Sequence, residues 1–69
     1  MSLREIQEDL ARLLRTNGPG AGARLATILA NDGPDTEAIA IDVLRLKGYH
    51  ALATKEGLQY VAETYRQAA

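Results

Sequence analysis

Acid–base chemistry in this 69-residue chain could draw on one imidazole, His50, and on the carboxylates Glu5, Glu8 and Asp9, with Ser2 as a candidate nucleophile. Such a set works only when a nucleophile or tuned base is held by an orienting partner. Ser2 stands three residues before Glu5, the spacing of a helix capping box, in which both side chains satisfy orphaned backbone N–H groups. Glu8 and Asp9 fall on the polar side of the same helical pattern and read as a solvated face. His50 has no Asp or Glu at local spacing and reads as a surface residue beside a turn. No catalytic residue is expected, and the chain is not expected to be an enzyme.

Ligand chemistry is equally poorly supplied. The absence of cysteine removes disulfides and thiolate metal sites, and a lone histidine cannot build an imidazole site. The run Asn31-Asp32-Gly33-Pro34-Asp35 is rich in oxygen side chains but lacks the spacing and terminal Glu of a calcium loop, so turn and capping chemistry explain it better. Gly18-Pro19-Gly20 lacks the G-x-x-x-x-G-K-[ST] pattern and the preceding strand of a phosphate-binding loop. No metal and no cofactor are expected. Eight Lys and Arg against nine Asp and Glu give a net charge of −1, without the basic excess of a domain built on phosphate contacts.

The elements that must position any site are helical. Ser2 opens a first helix in which Leu3, Ile6, Leu10, Leu13 and Leu14 share one face, and Glu8 and Arg12 form an i,i+4 pair on the other. Asn17-Gly18-Pro19-Gly20 ends it. A second helix is expected from about Gly22 to Ala30, with Ala21, Leu25, Ile28 and Leu29 inward and Ala23, Ala26 and Ala30 on its flank. Asn31 to Asp35 then form a turn, with Asp35 or Thr36 capping a third helix that runs to Lys47 and stops at Gly48. Residues 49–53 read as a short extended segment. Thr54 caps a last helix with Leu58, Val61, Ala62 and Tyr65 on its inner face.

The third helix is unusual in being apolar on two sides. At 100° per residue, Ile39, Val43 and Leu46 line one face, and Ala40, Ile41 and Leu44 line nearly the opposite one. A helix of this kind needs cover on both sides, and so short a chain has little protein to supply it. The surplus points to a partner, either a second copy or a different molecule. The stripe Ala40, Ile41 and Leu44 is the expected contact surface, together with Tyr60, which lies opposite the inner face of the last helix. Packing of Tyr60 on the Leu52 or Tyr49 segment is the alternative reading of that residue.

From residue 43 onward the chain resembles the second half of many prokaryotic winged-helix domains. Those read as a helix ending in Leu-x-x-x-Gly-Tyr, a strand, then Leu-Thr-x-x-Gly and a helix; here the counterparts are Leu44-Arg45-Leu46-Lys47-Gly48-Tyr49 and Leu52-Ala53-Thr54-Lys55-Glu56-Gly57. The resemblance implies a helix-turn-helix plan and, in its DNA-binding form, contacts from Arg24, Arg45, Lys47 and Lys55. The start of the third helix, Glu37-Ala38-Ile39-Ala40-Ile41-Asp42, is instead apolar and acidic, which repels phosphate. The two-stranded wing has no room before Thr54.

The expected fold is thus all-α: one domain over residues 1–69, a compact bundle of about four short helices, helix-turn-helix or winged-helix-like with at most a vestigial wing. The expected function is that of a small non-enzymatic regulatory protein, an adaptor or an anti-activator inhibiting a transcription factor or other host protein, of the kind common among phage products. It would act through a protein partner, a homodimer or both. A dimeric sequence-specific DNA-binding repressor is the alternative. No apolar run approaches the ~20 residues of a membrane span, and the N-terminal pattern is that of an acid-rich helix rather than a secretory leader. A cytoplasmic location without membrane contact is the expectation.

Overall fold

The computed structural model describes residues 2–68, and of residues 32, 67 and 68 the backbone alone. Four α-helices and no strand occur among the described residues: α1 (Leu3–Asn17), α2 (Ala21–Asp32), α3 (Pro34–Leu46) and α4 (Lys55–Ala68). The fold is all-α. Its radius of gyration, 10.7 Å, meets the ~11 Å of a fully compacted chain of this length.

Helix α1 begins where the capping residue says it should. The Ser2 hydroxyl accepts the Glu5 backbone N–H at 3.3 Å. Ile6, Leu10 and Leu13 then turn into the core. Gly18 ends the helix at φ +96°, its N–H returning to the Leu14 carbonyl, and the Asn17 side chain donates to the Leu13 carbonyl.

Helix α2 is longer than its periodicity predicts, and Ala21, Leu25 and Leu29 pack against the core as expected. It packs most extensively on α4, and it does so through its small residues. Ala26 is buried, and a Cβ on Gly22 would overlap the Tyr65 ring, so that ring lies directly on the α2 backbone. Ile28, expected inward, is exposed. Close helix–helix approach thus brings Gly22 and Ala26 inward beside Leu25 and Leu29.

The expected Asn31–Asp35 turn contracts to one residue. Gly33, at φ +79°, is both the last cap of α2 and the N-cap of α3, and Pro34 takes the first turn of α3, where its missing N–H goes unmissed. Neither Asp35 nor Thr36 caps; Asp35 and Glu37 sit in the first turn, near the positive end of the helix dipole.

Beyond α3 the chain closes a Schellman motif. The Gly48 N–H reaches the Arg45 carbonyl at 3.1 Å and the Tyr49 N–H reaches the Leu44 carbonyl at 2.9 Å, with Gly48 at φ +88°. Residues 49–53 are not extended: they form a turn closed by the Ala53 N–H on the Tyr49 carbonyl. Thr54 then caps α4, its hydroxyl accepting the Gly57 N–H and donating to the Ala51 carbonyl, each at 2.9 Å. Tyr49, Ala51, Leu52 and Ala53 are all buried, so this connector is part of the core with Leu58 and Val61.

Candidate interaction surface

Which stripe of α3 meets solvent is decided at its C-terminus. The Schellman motif brings residue 49 back over residue 44, and both side chains enter the core. With Leu44 inside, helical phase turns Ala40 inward and the other stripe outward. Ala40 and Leu44 are 9% and 5% exposed and Ile41 is half-buried against the core, whereas Ile39, Val43 and Leu46 are 63%, 44% and 88% exposed. The expected assignment of the two stripes is therefore reversed: Ala40 and Leu44 have no surface to offer a partner, and Ile39, Val43 and Leu46 do. The signal was present in Leu44, Gly48 and Tyr49, because a Schellman glycine pairs the apolar residues four before it and one after it.

The flanks of this exposed stripe are charged. Asp42 and Arg45 approach each other at 3.8 Å, with both side chains more than half exposed. Lys47 closes the helix as its C-cap.

Tyr60 belongs elsewhere. It is half-buried against the core, its hydroxyl accepts from the Gln7 side chain at 3.4 Å, and it lines a shallow depression with Leu3, Ile6, Glu56, Gln59 and Glu63. It joins α4 to α1 rather than extending the α3 stripe. The expected site residues Ala40, Ile41, Leu44 and Tyr60 do not form one exposed face.

The four basic residues of the DNA reading are carried by α2, α3, its C-cap and α4. Arg24 donates to the Asn17 carbonyl at 3.5 Å, Arg45 lies beside Asp42, and Lys55 opens α4 on the rim of a groove with Leu29, Pro34, Glu37 and Leu58.

The carboxylates of α1 take unequal roles. Arg4 pairs with Glu8 at 3.2 Å on the exposed side. Arg12 pairs with Asp9 rather than with Glu8, at 3.1 Å. Asp9 is no solvated residue: its second oxygen accepts the Ala51 and Leu52 N–H groups at 2.8 and 3.3 Å. Arg12 completes the clamp by donating to the Gly48 carbonyl at 2.7 Å and stacking on the Tyr49 ring, 4.6 Å from its centroid. These two side chains hold the connector that sets the phase of α3. His50 is exposed and lines a depression with Glu5, Glu8 and Asp9, with no hydrogen bond to any of them.

Among the described residues no cluster of three or more His, Asp or Glu side chains could hold a metal ion. No helix among them is long and apolar enough to cross a membrane. No protein-family model, curated protein or solved structure matches the chain.

Proposed function

We propose that the chain is a small non-enzymatic regulatory protein that works by protein–protein contact through the outer face of α3. The carrying observation is the contiguous exposed stripe Ile39, Val43 and Leu46, in a chain that buries its remaining large aliphatic residues except Leu3 and Ile28 at least in part. Single exposed apolar residues are ordinary, but three at i, i+4 and i+7 on one helix form a seam of the kind another helix packs against. The clamp from Asp9 and Arg12 holds the connector that follows α3, and with it the burial of Leu44 and Tyr49 that leaves the seam on the outer side. An adaptor or inhibitor of a transcription factor, acting in the cytoplasm and carried by a phage or other mobile element, fits the helix-turn-helix resemblance together with the acidic start of α3.

The test is capture on immobilised chain, with and without nuclease, comparing the wild type with Ile39→Asp and Leu46→Asp. Protein bound by the wild type, resistant to nuclease and lost in both variants, supports this reading. Binding to DNA that weakens steeply with salt and survives both substitutions would replace it with the repressor.

A further inference from the structure

We draw no further inference here: the strongest candidate, the exposed apolar stripe Ile39, Val43 and Leu46 on the outer face of α3, belongs to the surface already described, and nothing in the structure shows what covers it.

Discussion

Asp9 accepts the backbone N–H of Ala51 at 2.8 Å, across 42 positions of sequence. This bond ties the middle of α1 to the turn that follows α3, and Arg12 reinforces it through the Gly48 carbonyl and the Tyr49 ring. The consequence reaches the surface: with the connector held, Leu44 and Tyr49 stay in the core and Ile39, Val43 and Leu46 stay out of it.

Asp9→Ala should cost about 1–3 kcal/mol, the range for stranding part-buried donors, because the Ala51 and Leu52 N–H groups and the Arg12 guanidinium lose a partner together. Urea unfolding followed by circular dichroism measures it. Asp9→Asn, which keeps an acceptor oxygen, should lose less.

The two stripes of α3 should respond in opposite ways to truncation. Leu44→Ala should destabilise the monomer by about 2–5 kcal/mol, as buried leucines do, and Leu46→Ala should stay within about 0.5 kcal/mol of wild type. Equal losses at dilute concentration would mean that Leu46 is covered within the single chain.

Glycines 48 and 57 are needed for different reasons, and asparagine separates them. Gly48 adopts φ +88° with open space around it, so Gly48→Asn should be milder than Gly48→Ala. Gly57 presses its Cα on the connector, where a Cβ would lie 2.5 Å from the Ala51 carbonyl oxygen and 2.7 Å from the Leu52 Cα. Gly57→Ala and Gly57→Asn should therefore both destabilise, and thermal unfolding of the four variants shows the pattern.

Thr54→Ala should cost about 1 kcal/mol, typical for loss of an N-cap. Thr54→Ser, which retains the hydroxyl that the Gly57 N–H requires, should recover most of it.

Much of this fold is local in origin and was legible for that reason. The Ser2 cap, the leucine face of α1, the stop at Gly18 and the Thr54 cap all follow from neighbouring residues. The all-α class followed from the same periodicities. Both stripes of α3 are visible in the sequence but their phase is not, because two apolar faces of similar strength leave the choice to tertiary contacts. The inward side of α2 is legible in Ala21, Leu25 and Leu29; the exposure of Ile28 is not, because Gly22 and Ala26 take the inner position by letting α4 approach, a property of the pair of helices. The clamp from Asp9 and Arg12 joins residues far apart in the chain, so helical spacing marks Asp9 as solvated while its real partners lie in the connector.

The most direct test of the outer face of α3 as the binding surface is covalent capture in living cells, with Leu46 replaced by a photo-crosslinking benzophenone amino acid and exposed Thr64 of α4 replaced likewise as a control. The expected result is a discrete protein adduct from position 46 and none from position 64. No protein adduct at position 46, or equal yields from both positions, would contradict it.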